Sequence, residues 1–371
     1  MRLKSVCLFS LIAMSTATFA KDTAFLSSET AKIKIETIAE GLAHPWGLEF
    51  LPDGRMLVTE RDGKLRLVAA DGSLSEPISG LPALAVAGQG GLLDVMLDKD
   101  FAKNQLIYLS YAEPGTDKTA STAVIRATLK DNQLTNSTVI FSQIPKVDSR
   151  HHFGGRLVQE PNGNIFVTLG DRGSRRDDVQ PLNTLIGKVA RITPEGKPAP
   201  DNPFTTKADA NPLVWSNGHR NIQGATLDGQ GRLWTHEHGP QGGDEINIAK
   251  AGANYGWPLI TYGEEYGGGV IGKTQQAGLE QPLHYWVPSI APSGMTFYTG
   301  TLFKDWQQNL LVGSLKFGQL VRLVMKDDKV VHEERIRIGN RIRDVQVNSE
   351  GAVYLLTDED NGKILKLTPM P

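Results

Sequence analysis

Two arginines stand two residues apart inside a strand-like run, Asn340-Arg341-Ile342-Arg343-Asp344, and they carry the sharpest chemical signal in the chain. Side chains at i and i+2 of a strand share a face, so Arg341 and Arg343 present a two-pronged cation. In the same stretch only Asp344 could neutralise them, and its position turns it to the other face. Paired guanidinium forks suit a ligand that carries several carboxylates or phosphates. Another strand-like run ends in Ser314-Leu315-Lys316, whose amine would need an anion if buried. The alternative is a surface lysine that snorkels to water.

Further clusters hold groups suited to moving a proton or binding a cation. His151-His152-Phe153-Gly154-Gly155-Arg156 is followed one hairpin later by Leu169-Gly170-Asp171-Arg172-Gly173. An imidazole and a carboxylate so placed are a candidate general base and its orienting acid, or else a hydrogen-bonded loop histidine and an ordinary turn. Ser216-Asn217-Gly218-His219-Arg220-Asn221-Ile222-Gln223-Gly224 crowds hydrogen-bonding side chains between glycines that let backbone approach a ligand. Glu237-His238-Gly239-Pro240-Gln241-Gly242-Gly243-Asp244-Glu245 offers carbonyls beside carboxylates, the oxygen ligands of a hard cation such as calcium. Its spacing is not that of an EF-hand, and a solvated acidic turn is the alternative. Asn254-Tyr255-Gly256-Trp257-Pro258 reads as an architectural turn whose Tyr255 carbonyl could also reach a cation. Gln89 lies in the glycine-rich connector Gly88-Gln89-Gly90-Gly91, and Ser289 in the rigid turn Trp286-Val287-Pro288-Ser289.

Something must bring these scattered groups together, and the periodicity says what. Thirty-nine glycines and twenty prolines punctuate 371 residues, and apolar positions alternate with a period of two. A repeated unit, an apolar pair, a turn and a strand ending in Thr, Glu or Ser, appears at Leu48 to Glu60. It recurs at Asp98 to Ser110, Leu157 to Gly170, Thr226 to Glu237, Phe297 to Ser314 and Val345 to Thr357. Asp53-Gly54, Asn162-Gly163 and Glu350-Gly351 are its hairpin signals. Six such units in a chain of this length predict an all-β, six-bladed β-propeller with four-stranded antiparallel blades. Ile33 to Ile38 should close the ring against Ile364 to Leu367. A double barrel or paired sandwich is the structural alternative. Long segments at Glu113 to Ala123, Asp171 to Val214 and Glu237 to Ser289 should gather at one mouth of the channel.

Composition narrows the setting. The chain is 40% hydrophobic and 22% charged with a net charge of -2, so no bulk field favours nucleic acid or an anionic membrane. Met1-Arg2-Leu3-Lys4, an apolar run from Val6 to Met14 and small residues ending at Ala20 predict a signal peptide over 1–20. The mature domain, 21–371, should be periplasmic, without membrane insertion and without thiol, since Cys7 falls inside the signal. No Gly-x-Gly-x-x-Gly dinucleotide fingerprint, phosphate-binding P-loop or Cys/His zinc pattern occurs, which disfavours nicotinamide, ATP and structural zinc chemistry.

Taken in order, the motifs His-x-Gly-Gly-Arg, Gly-Asp-x-Gly, Gly-His-Arg-Asn-x-Gln-Gly, Glu-His-Gly-Pro with Asp-Glu, Asn-Tyr-Gly-Trp-Pro, Ser-Leu-Lys and Asn-Arg-x-Arg-Asp resemble the soluble quinoprotein glucose/sorbosone dehydrogenases, above all their aldose sugar dehydrogenases. The resemblance runs from His44 to Leu367. It implies a six-bladed propeller that uses pyrroloquinoline quinone, a tricarboxylate, together with Ca2+. By resemblance Lys316, Arg341 and Arg343 bind cofactor carboxylates, Arg220 and Asn221 face the quinone oxygens, Gln89 bonds near the reacting centre, and Gln223 and Ser289 complete the pocket. His152 matches the base that takes the anomeric proton, Asp171 the carboxylate that tunes it, and Arg220 a catalytic partner. The Gly239 and Pro240 carbonyls match a calcium site, and Glu245 with the Tyr255 carbonyl a second one. Ser289 and His238 replace the threonine and glutamine of glucose-specific relatives. Short loops after Glu113 and Tyr262 imply an open mouth, broad acceptance of aldoses and a monomer, with an unidentified electron acceptor. The other readings are a calcium-dependent lactonase, which has no use for three inward-facing cations, and a non-catalytic binding propeller, for which the His152 and Asp171 pair would be incidental.

Overall fold

The computed structural model describes residues 23–370, so the signal over 1–20 lies outside the described residues. Among these residues no helix is long and apolar enough to cross a membrane. Regular structure in the described residues is nearly all strand, their one α-helix being the single turn Phe101–Asn104.

Six antiparallel sheets form the blades. The first blade holds Pro45–Phe50, Met56–Glu60 and Lys64–Val68, and the second Leu92–Leu97, Leu106–Pro114, Ala120–Lys130 and Gln133–Ser142. Leu157–Gln159, Ile165–Thr168, Lys188–Ile192 and Val214–Asn217 make the third; Ile222–Leu227, Leu233–Glu237, Asp244–Ile248 and His284–Trp286 the fourth. The fifth comprises Pro292–Phe297, Leu310–Ser314, Gln319–Lys326 and Lys329–Arg337. In the sixth, Ile342–Val347, Val353–Thr357 and Gly362–Pro369 are joined by Lys32–Leu42 from the other end of the chain, with Ile35 opposite Leu367. The first strands of successive blades pack against one another all the way round, the sixth on the first. The repeat therefore closes into a ring as expected.

Two blades depart from four strands. Thr23–Ser27 adds a fifth to the closing blade by pairing with Lys32–Leu42. In the first blade the segment after Val68 runs alongside as an irregular edge: Ser75 and Ile78 donate to the Leu67 and Leu65 carbonyls, but Pro77 has no amide to continue the ladder. The hairpin signals hold, with Gly54, Gly163 and Gly351 at φ 86°, 96° and 91°.

Apolar cores lie between adjacent blades. Leu57, Leu65, Ile107 and Ile125 pack between the first and second, and Leu311, Leu320, Val345 and Val353 between the fifth and sixth. Strands covered on both faces are buried along their length, as in Met56–Glu60 and Leu310–Ser314. Each fully buried aliphatic side chain contributes roughly 1.5–3 kcal/mol, which lets the ring hold without disulfides.

Candidate active site

Alternating strand direction fixes where loops emerge. Connections from second to third strands, and from fourth strands to the next blade, leave on one face of the ring. The first kind carry Arg61, Asp171, Gly239, Pro240, Lys316 and Asp358; the second carry Gln89, His152, Arg220, Asn221, Ser289 and Arg341. Gln223 and Arg343 begin the inner strands just below. The segment from Ala249 to Leu283 would leave on the opposite face, but bridges Asn217 to Asn254 and Gln241 to Glu264 fold it back to this mouth. The stretch from Glu113 to Ala123 is no long loop, because its strands run to Pro114 and from Ala120.

The imidazole and the carboxylate that the spacing singled out lie side by side. His152 Nδ1 lies 2.6 Å from Asp171 Oδ1, and the second Asp171 oxygen accepts from the Trp257 indole at 2.8 Å. Gly173 donates to Asp171 Oδ1 at 2.7 Å. A carboxylate held this way is an acceptor only, so Nδ1 carries the proton and Nε2 is left as a free acceptor. Burial pushes the His152 pKa down, Asp171 partly restores it, and the nearby Arg220 charge opposes protonation. Burial would raise Asp171, but His152, Arg220 and the Gly173 amide outweigh it and hold the carboxyl below its ordinary value. The histidine loop is pinned from beneath by Arg172, which stacks 3.5 Å over Phe153 and bonds the Ser149 and His151 carbonyls. Gly170 lies against the loop so closely that a Cβ there would sit 2.1 Å from the His152 carbonyl oxygen. Trp257 is therefore more than the architectural residue its motif suggested.

His152, Asp171, Arg220, Pro240, Trp257, Glu265 and Tyr266 border a cavity of about 710 Å³. Gln89 belongs both to this cavity and to a neighbouring one of about 450 Å³. Its Oε1 accepts from the His152 amide at 2.8 Å, tying the two together. The second cavity is lined by Arg61, Lys316, Arg341, Arg343, Trp46, Asn221, Gln223 and His238, with Asp358 as its single carboxylate. Lys316 has no carboxylate partner among the described residues; its ammonium lies 5.3 Å from the Phe317 ring centroid. Arg343 is buried, bonds Asp358 at 2.7 Å and Gln223 at 3.1 Å, and keeps a buried Nε with no partner. Arg341 is half exposed, 3.4 Å from the same carboxylate oxygen. Asp344 does point away, to Arg156, but Asp358, fifteen residues beyond Arg343 in sequence, is the acid that steadies both prongs. Neither it nor Arg61 was singled out from the sequence, since each is an ordinary hairpin residue until the blades converge.

Ser289 stands apart from the expected pocket. Its hydroxyl faces both oxygens of buried Asp244 at 2.7 and 2.9 Å, and it is not among the residues bordering either cavity. Asp244 also accepts from the Gly239, Ile290 and Ala291 amides at 2.8–3.0 Å, so it organises the Gly239-Pro240 turn. The Gly239 carbonyl accepts from Arg220 at 2.8 Å. Glu245 and Tyr255 meet beside Glu237 in a small recess, where burial, then the Glu237 charge, pushes the Glu245 pKa well up. A cation would relieve that pair of acids. Ser216, His219 and Glu237 form a serine–histidine–carboxylate chain at 2.9 and 3.0 Å, but all three are buried, and the second Glu237 oxygen accepts from the Arg220 amide.

Residues 42–366 match the glucose/sorbosone dehydrogenase family. The chain is 43% identical to the aldose sugar dehydrogenase YliI of Escherichia coli (strain K12), with all of both chains covered. A crystal structure of the soluble aldose sugar dehydrogenase of Escherichia coli in its apo-form superposes with a TM-score of 0.88 at 44% identity, covering 91% of this chain and 100% of that one. The PQQ-bound form of an aldose sugar dehydrogenase from Streptomyces coelicolor gives 0.76 at 28% identity, covering 91% and 99%.

Proposed function

The chain belongs to the glucose/sorbosone dehydrogenase family of sugar-oxidising propellers, and from that premise we propose that it is a periplasmic, monomeric aldose dehydrogenase that uses pyrroloquinoline quinone and calcium to oxidise the C1 hydroxyl of sugars to lactones. One observation carries the reading: a cavity with four cations and one carboxylate meets the His152–Asp171 pair at Gln89. A tricarboxylate fits that charge balance, and the partnerless buried Nε of Arg343 fits a further acceptor. Lys316, Arg341 and Arg343, with Arg61 beside them, would hold its carboxylates. Bound there, the quinone supplies the two-electron acceptor for hydride leaving C1. His152 Nε2 takes the hydroxyl proton, and Asp171 stabilises the imidazolium that forms. Arg220, fixed by the His238 and Gly239 carbonyls at 3.0 and 2.8 Å, keeps positive charge beside the base and discourages its premature protonation. Calcium on the Gly239 and Pro240 carbonyls would add Lewis acidity at the quinone, and Glu245 with the Tyr255 carbonyl would take a structural ion. The open mouth suits many aldoses and direct approach of an electron acceptor.

The test is reconstitution. Metal-stripped protein given quinone and calcium should develop a bound-cofactor absorbance spectrum that changes when an aldose is added. Arg341→Glu, a change at a half-exposed site, should weaken quinone uptake by roughly 10- to 100-fold with little loss of folding. Uptake with no spectral response to any aldose would end the proposal.

Acidity offers another check. A base whose pKa lies below the ordinary 6.5 is already neutral at pH 7, so kcat/KM should fall only as pH drops below that value. Asp171→Asn removes the interactions that raise His152, so the acid limb should move lower still. Its plateau should also fall, since an amide can offer N–H to Nδ1 and move the proton to Nε2. A limb that rises to higher pH in this variant would refute the assignment of Asp171.

A further inference from the structure

Ring closure places His44, whose imidazole contacts the cavity-lining Asp358, in a left-handed conformation. His44 links the closing strand Lys32–Leu42 to the first inner strand Pro45–Phe50 and adopts φ 47°, a left-handed conformation that is uncommon for a non-glycine residue. The imidazole sits between two carboxylates, with Nδ1 2.8 Å from Asp358 and Nε2 2.9 Å from Asp360. Its amide donates to the Glu359 carbonyl at 2.9 Å, and its carbonyl accepts from the Arg61 amide at 3.1 Å. Asp358 in turn bonds Arg343 and Arg341, and its amide donates to the Arg341 carbonyl at 2.8 Å. A single residue therefore touches the loops behind three of the four cations in the cavity: Arg61 through backbone, Arg341 and Arg343 through Asp358.

We propose that His44 is a positioning residue for the polyanionic cofactor, which holds Asp358 in the rotamer that aims Arg341 and Arg343 while leaving their outer donors to the ligand. Unheld, the Asp358 carboxylate is free to swing along its arginine partners and occupy donors a ligand carboxylate would use. The inference rests on the cofactor reading above. A consequence is that loading the cavity braces the junction where the two ends of the chain close the ring.

Two variants separate positioning from mere structure. His44→Gly removes the imidazole at a φ that glycine adopts freely, and His44→Asn restores a donor near Nδ1 in a residue that tolerates the left-handed region. With folding checked by circular dichroism, quinone titration followed by absorbance should show His44→Gly weakened by roughly tenfold and His44→Asn recovering most of that loss. Equal affinity in His44→Gly and the unmodified protein overturns the proposal, as does equal weakening in both variants. If the unmodified protein itself binds no quinone, the functional reading falls, and this inference with it.

Discussion

Replacing His152 with alanine should lower kcat by roughly two to four orders of magnitude while quinone uptake stays close to that of the unmodified protein. The two effects separate because the side chains occupy different places. His152 borders the larger cavity, whereas the cations that would grip the cofactor border the smaller one, and only Gln89 belongs to both. The loss should be large because nothing nearby can substitute. Asp171 is turned to Trp257 and the Gly173 amide, and its hydrogen bonds and the charges of His152 and Arg220 outweigh burial and keep it a weak base. His151 is exposed on the same loop, with its ring centroid 6.3 Å from that of His152. Rapid mixing of quinone-loaded protein with glucose, followed at the cofactor absorbance, measures the step directly. A full rate in His152→Ala would remove the base from the proposal while leaving the cofactor assignment standing.

The propeller and most of its mouth were legible in the chain because both depend on local signals. A hairpin fixes where two strands turn, and six similar hairpins fix a ring. His152 and Asp171 could be paired because one hairpin separates them, and Arg341 and Arg343 because a strand alternates its faces. What stayed hidden is what only closure of the ring brings together. Asp358 and Arg61 lie in short turns of the sixth and first blades, nearly three hundred residues apart, and nothing local marks either as lining the cation-rich cavity. Trp257 belongs to an insertion that should leave on the far face and reaches Asp171 only by folding back. Ser289 differs in the opposite sense: its motif position suggested a ligand contact, whereas in the fold its hydroxyl bonds the buried Asp244 carboxylate.

The channel beneath the cavity yields the largest expected loss of stability, on Arg156→Met. Arg156 is buried on the axis, 3.0 Å from both Asp94 and Asp344, and donates to the Gln223 and Arg343 carbonyls at 2.8 and 3.2 Å. Its guanidinium also stacks 4.1 Å over Trp46. From the start of the third blade it thus reaches inner strands of four others. Methionine keeps much of the volume but leaves two buried carboxylates without a counter-charge, a change that costs about 3–5 kcal/mol where one partner of a buried pair is removed. Burial already pushes the Asp94 pKa up to about 6 against the pull of Arg156, and raises Asp344 as well. Without the guanidinium both should rise further. A carboxyl whose pKa is higher in the folded than in the unfolded chain stabilises the fold at low pH and loses that contribution as pH climbs through the folded value. The deficit of Arg156→Met should therefore be greatest above neutrality and shrink as pH falls toward 4. Urea unfolding at pH 7.5 and pH 5 measures this, and a loss under about 1 kcal/mol at pH 7.5 would show that the acids ionise without help. Lysine should rescue little, because a point charge cannot span two carboxylates and two carbonyls at once. Since Gln223 and Arg343 hang from the same guanidinium, quinone uptake should weaken along with the fold.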